Sequence, residues 1–397
     1  MGSSWNEKPL GELISYISRG VTPKYVESAD ENAVIVLGQR CVRNSGLDIS
    51  QSRFHDLSAK KVKDEKFVRM HDILITATGV GCAGRVSQVL DSLPYGTLTD
   101  SHVLTLRAKD IDPVYLGYFI KSKQYMLELM AEGSTGQTEM NKTRVQEEIV
   151  VTYPMDASVQ KAIADTLRDF DEKIEINKQL NDYLAELLDA LFAKVLEGAD
   201  NWEEATLLDI ASYKNGLAMQ KFRPEGDDPG LPVLKIKELG QGSCGPDAER
   251  CRSNIDESVR IYDGDLVFSW SGTLLLDFWA GGDAGLNQHL FKVTSEKYPS
   301  WFVYMWTKYH MRRFIALAKD RATTMGHIKR SALAEAKVLI PSADGLNKLT
   351  EQMQPVVDQI IGLKVEARKL GELRDTLLPK LMSGEIDVSK VDLAQSN

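Results

Sequence analysis

The sequence predicts an α+β protein: two similar mixed α/β domains separated by two long antiparallel helices, arranged as an internal repeat. Three observations lead there. A series of matched residues recurs in the same order along the 397 residues. Each copy ends in a long stretch whose apolar residues fall at heptad steps. The composition, 43% apolar and 26% charged, is that of a water-soluble chain with room for two or three cores. The predicted segments are a first domain (1–155), a central helical spacer (156–200), a second domain (201–343) and a C-terminal helical spacer and tail (344–397).

The repeat opens with Trp5, Leu10-Gly11-Glu12-Leu13, Tyr16 and Gly20, matched by Trp202, Leu207-Leu208-Asp209-Ile210, Tyr213 and Gly216. Asp72 before Ile73-Leu74-Ile75 matches Asp265 before Leu266-Val267-Phe268. These short apolar runs after an Asp-containing turn read as buried strands. Asp100-Ser101-His102 matches Asn287-Gln288-His289, and each leads into a further strand, Val103–Leu106 or Leu290–Val293. Pro113 and Pro299 open stretches at helical spacing, 113–130 and 299–318. Ile149–Val151 and Val338–Ile340 are closing strands that end near Pro154 and Pro341.

After each closing proline comes the heptad. In the first copy it reads Ile163, Leu167, Phe170, Ile174, Asn177, Asn181, Leu184 and Leu188. In the second it reads Leu349, Met353, Val356, Ile360, Leu363, Ala367, Leu370 and Leu377. Two stripes of equal length in one chain are best satisfied by each other, and the domain between them returns the chain, so the pair is antiparallel. Midpoint pairing sets Asn177 near Ala367 and Asn181 near Leu363. Polar residues in such a seam cost stability and can fix register. Pro355 and Pro379 predict local irregularity or a broken end.

The net charge of −9 neither supports nor excludes a nucleic-acid partner. The spacer 156–200 holds 5 basic and 11 acidic residues, whereas 201–343 balances at 18 and 18. A neutral domain can still present a basic face. Four cysteines at unrelated positions make neither a CxxC pair nor a disulfide framework. No stretch reaches the ~20 apolar residues of a membrane span, and Met1–Leu13 has no signal-peptide core. A cytoplasmic chain is expected.

No catalytic residues and no metal site are predicted. There is no Gly-x(4)-Gly-Lys-Ser/Thr loop for ATP and no Asn/Asp-Pro-Pro-Tyr/Phe motif of an amino-methyltransferase. Gly79-Val80-Gly81-Cys82-Ala83-Gly84 fits the dinucleotide fingerprint, but Arg85–Ser92 is too short for the helix that fingerprint needs, so a tight turn between strands is the better account. The paired His102 and His289 lack a recurring nucleophile and orienter, and no second metal ligand stands at i+2 or i+4; they read as structural.

The C-terminal run Leu373-Arg374-Asp375-Thr376-Leu377-Leu378-Pro379-Lys380-Leu381-Met382-Ser383-Gly384-Glu385-Ile386 resembles the signature of specificity subunits of Type I restriction–modification systems. A degenerate version, Leu187–Lys194, closes the first copy, and the Trp-x(4)-Leu-x-Glu-Leu pattern at Trp5–Leu13 and Gly133-Ser134-Thr135-Gly136-Gln137 are similar to that family too. The resemblance covers nearly the whole chain. It implies two target recognition domains, each reading half of a bipartite site on double-stranded DNA. The helices then set the gap and dock two modification (methyltransferase) subunits, which restriction (translocase/nuclease) subunits join. No cofactor belongs to this chain; S-adenosylmethionine, ATP and Mg2+ are used by the partners. The rivals are a duplicated scaffold bridging two proteins without DNA readout, and an enzyme built on the glycine-rich turn.

Base edges are read by Arg, Lys, Asn, Gln, Ser and Thr. Two segments at matching places in the repeat hold such residues: Thr135, Gln137, Asn141, Lys142 and Arg144 in the first copy, and Arg321, Thr323, Thr324, His327, Lys329 and Arg330 in the second. Lys60, Lys61, Lys63, Lys235 and Lys237 are candidate phosphate contacts. Each of these also reads as plain solvated surface.

Overall fold

The computed structural model describes residues 4–27, 31–44, 46–79, 81–131, 139–199, 201–319 and 328–387. Contacts divide the chain into two units, Met1–Phe170 with Leu373–Asn397, and Asp171–Glu372.

The first unit opens with β1 (Trp5–Pro9), β2 (Ile14–Arg19), β3 (Tyr25–Val26), β4 (Ala33–Leu37), β5 (Val42–Arg43), β6 (Gly46–Leu47) and β7 (Arg53–Asp56). It continues with β8 (Ile73–Thr76), β9 (Val86–Gln88), β10 (Leu98–Thr99), β11 (Val103–Ala108), α1 (Pro113–Ser122), α2 (Gln124–Ala131), α3 (Lys142–Glu148) and β12 (Val150–Pro154). Then α4 (Ala157–Leu196) begins, a helix of 40 residues. An antiparallel sheet runs in the order β2-β11-β8-β9, and a mixed sheet runs β10-β4-β7-β3 with β10 parallel to β4. The inner strand β8 is buried at all four residues, which explains its unbroken apolar run. Tyr115, Leu116, Phe119 and Ile120 of α1 pack on Ile73, Ile75, Leu104 and Leu106. Ile163 and Leu167 of α4 join that core, and so do Leu378, Leu381 and Met382 of the C-terminal signature. Gly384 of that signature has φ +75°, and a Cβ there would lie 2.7 Å from the Trp5 ring. The two family-like motifs therefore meet in one core, and the contact requires glycine.

The second unit repeats the plan. It holds β13 (Glu203–Thr206), α5 (Leu207–Ile210), β14 (Ser212–Asn215), β15 (Leu231–Leu234), α6 (Ile236–Gln241), β16 (Arg250–Cys251), β17 (Arg260–Ile261) and β18 (Leu266–Ser269). After these come β19 (Leu276–Phe278), β20 (Ala284–Leu286), β21 (Leu290–Thr294), α7 (Ser300–Tyr309), α8 (Met311–Lys319), α9 (Arg330–Ala334), β22 (Lys337–Ile340) and α10 (Ala343–Met382). The sheet β14-β21-β18-β19 has the topology of β2-β11-β8-β9, and β13 pairs with β22 as β1 pairs with β12. Within this unit, α10 is tied to its domain by Lys364 to Asp277 and by Arg368 to Asp263 (2.7 Å) and the Ala280 carbonyl (2.7 Å).

The seam between the two long helices is visible inside the second unit. Ile174 approaches Gly371, and the Asn177 amide donates to Glu366 (2.7 Å), one residue from Ala367. Leu184, Leu188 and Phe192 meet Met353, Val357 and Ile360 in one core. Rising numbers on α4 meet falling numbers on α10, so the helices are antiparallel. Phe170, Asn181, Leu349, Val356, Leu363, Ala367, Leu370 and Leu377 are likewise buried or half-buried.

One expectation gains detail and another needs correction. The helical stretches 113–130 and 299–318 are each two helices, broken at Lys123 and His310. Lys123 folds its amide back to the Ile120 carbonyl, and His310 is held by the Lys337 carbonyl (2.7 Å). Helix α10 runs unbroken through Pro355 and Pro379. Each proline deletes one amide donor, and the packing of Met353, Val357, Leu378 and Leu381 on either side holds the remaining ladder in place.

Candidate nucleic-acid interface

In both units one end of the four-stranded antiparallel sheet is built on the same hydrogen-bond frame. In the first unit the Ala77 amide, just past β8, donates to the His102 carbonyl (2.7 Å), and the Ala77 carbonyl accepts from the Met140 amide (2.9 Å). The His102 amide donates to Asp100 Oδ1 (2.9 Å), and the Asp100 amide to the Leu37 carbonyl (3.0 Å). In the second unit the Trp270 amide donates to the His289 carbonyl (3.4 Å), and Ile328 to the Trp270 carbonyl (3.0 Å). The His289 amide donates to Asn287 Oδ1 (3.2 Å), and Asn287 to the Leu234 carbonyl (3.0 Å).

The frame explains a matched pair of glycines. Gly20 and Gly216 lead into the parallel bridges Val21–Asp100 and Leu217–Asn287. A Cβ on Gly20 would fall 2.0 Å from the Thr99 carbonyl oxygen, and one on Gly216 2.2 Å from that of Leu286. No side chain fits either crossing. Burial pushes the Asp100 carboxyl above the usual carboxylate range, partly offset by the His102 amide. Asn287 does the same capping without a charge, so the turn needs the acceptor oxygen and not the carboxylate.

Comparison with known proteins gives these geometric twins a family. The family model described as the Type I restriction modification DNA specificity domain matches residues 2–186. The specificity subunit of the Type I restriction enzyme MjaIX from Methanocaldococcus jannaschii is 25% identical over 311 residues, 70% of this chain and 70% of that protein. The specificity subunit of the Type I restriction enzyme HindI from Haemophilus influenzae is 20% identical over 472 aligned positions, 97% of this chain and 100% of that one. In fold, the chain is similar to the Type I restriction–modification S subunit of M. genitalium, with a TM-score of 0.57, 18% identity and 96% coverage of both chains. Residues 2–186 match that family's model, and the chain as a whole is similar to Type I specificity subunits.

Several residues expected to touch DNA come to the frame. Lys60 Nζ donates to the Thr22 carbonyl (2.9 Å), next to Val21. Asn141 and Lys142 follow Met140, and both are exposed; Asn141 Oδ1 caps α3 by accepting from Thr143 (2.9 Å). Lys235 follows Leu234 at the matching place, and exposed Lys329 and Arg330 follow Ile328. Lys61 and Lys63 are exposed and make no hydrogen bond to the frame. Arg144 is paired along α3 with Glu148 (2.7 Å), Lys235 with Glu249 (2.6 Å) and Lys237 with Asp247 (3.3 Å), so a phosphate at any of these must compete with a carboxylate. Thr135, Gln137, Arg321, Thr323, Thr324 and His327 lie outside the described residues.

The same ends also hold groups that sequence reasoning passed over. Arg19 binds Glu139 (2.8 Å) and the Met140 carbonyl (2.8 Å). Thr78 Oγ1 lies 2.7 Å from His102 Nδ1, and Gln288 stands beside His289. Only the histidines carried a signal in the sequence, their matched position in the repeat. Gly81–Gly84 form a turn between β8 and β9, with the Gly84 amide returning to the Thr76 carbonyl (2.8 Å). Among the described residues no cluster of His, Cys, Asp or Glu could hold a metal ion, all four cysteines are free, and no helix is long and apolar enough to cross a membrane.

Proposed function

We propose that the chain reads a bipartite site on double-stranded DNA, each domain recognising one half with the histidine end of its sheet. The observation that carries this is the frame itself: one backbone scaffold, present twice, bearing different side chains. Ser101-His102 stands in one copy and Gln288-His289 in the other, which suits two unlike half-sites. Basic side chains gathered at the same ends supply phosphate contacts.

The helices set the gap between half-sites and dock the modification subunits, which restriction subunits join. Helix α4 supports a docking role. Ile176, Leu180, Tyr183 and Leu187 lie at heptad steps and remain 55%, 39%, 69% and 46% exposed. Glu175, Asp182 and Glu186 flank that stripe, so it suits an apolar helix with basic edges. S-adenosylmethionine, ATP and Mg2+ are used by the partners, in the cytoplasm, and this chain supplies recognition without catalysis.

The test is to express the chain with its modification subunit and map methylated adenines across a host genome. Methylation at one split sequence with a constant gap is expected. A complex that forms yet modifies no split sequence would overturn DNA reading in favour of a protein-bridging scaffold.

A further inference from the structure

The fold uses the described histidines differently. His55 is wholly buried, with Nδ1 accepting from the Lys24 amide (2.9 Å) and Nε2 at the Lys60 carbonyl (2.9 Å). His310 is 8% exposed, with Nε2 at the Lys337 carbonyl (2.7 Å), and burial lowers its pKa. These two are consumed by the fold. His102 is different: it is exposed, Thr78 holds its Nδ1, and its Nε2 has no partner among the described residues.

We propose that His102 and His289 are base-reading residues, one for each half of the site, with Thr78 positioning the first ring. The assignment rests on the DNA reading given above and deepens it. Its support is geometric. Each histidine sits on a turn pinned through its own amide and its own carbonyl, so the ring is carried on a fixed base. Each turn adjoins the residue, Met140 or Ile328, that leads into exposed basic side chains. His289 is half-buried against the Trp270 ring, with centroids 5.9 Å apart; its Nδ1 is buried without a partner and its Nε2 is bonded to Gln288 Nε2 (3.3 Å), so Nε2 is the atom a base would reach, in exchange for Gln288. In His102, with Nδ1 engaged by Thr78, Nε2 is donor or acceptor according to the tautomer, and in His289 Nε2 takes either role once Gln288 is displaced; both roles have partners on the major-groove edge of a base pair.

The experiment uses the complex of the full chain with its modification subunit and reads relative methylation rates at every single-base variant of the split site. His102→Ala should relax one position of one half-site about tenfold and leave the other half unchanged. His289→Ala should do the same in the other half. Thr78→Val should relax the same position as His102→Ala, and Thr78→Ser should restore it, which a merely structural threonine would not do. The intact half-site serves as the internal control for folding. Unchanged preferences in both histidine variants would overturn the proposal, as would a loss spread evenly over both halves. A wild-type complex with no split site at all would instead remove the DNA reading beneath it.

Discussion

Asp72 shows how much of a repeat can be carried by single side chains. It has no solvent exposure, and it accepts from the Arg69 amide (2.8 Å) and twice from Arg107 (2.8 and 2.7 Å). Asp265 takes the matching bond from the Tyr262 amide (2.8 Å), and Lys292 is its cation (2.8 Å). The aspartates were legible because a turn before a buried strand shows in sequence. The cations were not: Arg107 stands 35 residues from Asp72, on the neighbouring strand, and nothing local marks it as a partner. Removing one partner of a buried pair leaves the other charge stranded. Asp72→Ala should therefore cost about 3 kcal/mol in urea unfolding. Asp265→Ala should cost less, about 1 kcal/mol, because the Asp265 side chain is 22% exposed where that of Asp72 is 0%. Equal losses at the two sites would show that the difference in burial contributes nothing.

The long helices were the most legible elements, since a seam of period 3.5 must be written into the residues that form it. What the stripe left out is equally physical. Val357 is wholly buried and Leu378 nearly so, yet neither belongs to the heptad, because α10 also presses on the globular part of each unit and needs a second apolar face. The breaks at Lys123 and His310 were hidden for the opposite reason: they depend on a cap and on a distant carbonyl, not on periodicity. Asn177 carries the polar layer of the seam, with Nδ2 bonded to Glu366 and Oδ1 buried without a partner. Pro355 is the clearest place to test the helix itself. It is exposed, so replacing it removes little packing while restoring an amide donor to the ladder. Pro355→Ala should stabilise the protein by about 2 kcal/mol. A lower urea midpoint in that variant would mean that the proline relieves strain which the helix otherwise bears.

For the whole molecule, the division into two units follows the helices and not the order of the chain, because residues 373–397 complete the unit that residues 1–170 begin. Each unit thus owns part of both helices, and the proposed gap between half-sites becomes a matter of helix length. Residues 168–174 of α4 and 370–376 of α10 are matched heptads by the pairing of Ile174 with Gly371 and Asn177 with Glu366. Deleting both keeps the seam in phase and spares Lys364 and Arg368, which tie α10 to the second domain. Seven residues shorten a helix by about 10 Å, which is about 3 base pairs of duplex. Methylation mapping of the deletion variant should return both original half-sites with the gap reduced by about that amount. Half-sites retained at the original spacing would leave the reading ends intact and take the ruler away from the helices; loss of all methylation with the modification subunit still bound would show that the shortened pair cannot seat both ends on one duplex, as a rigid spacer requires.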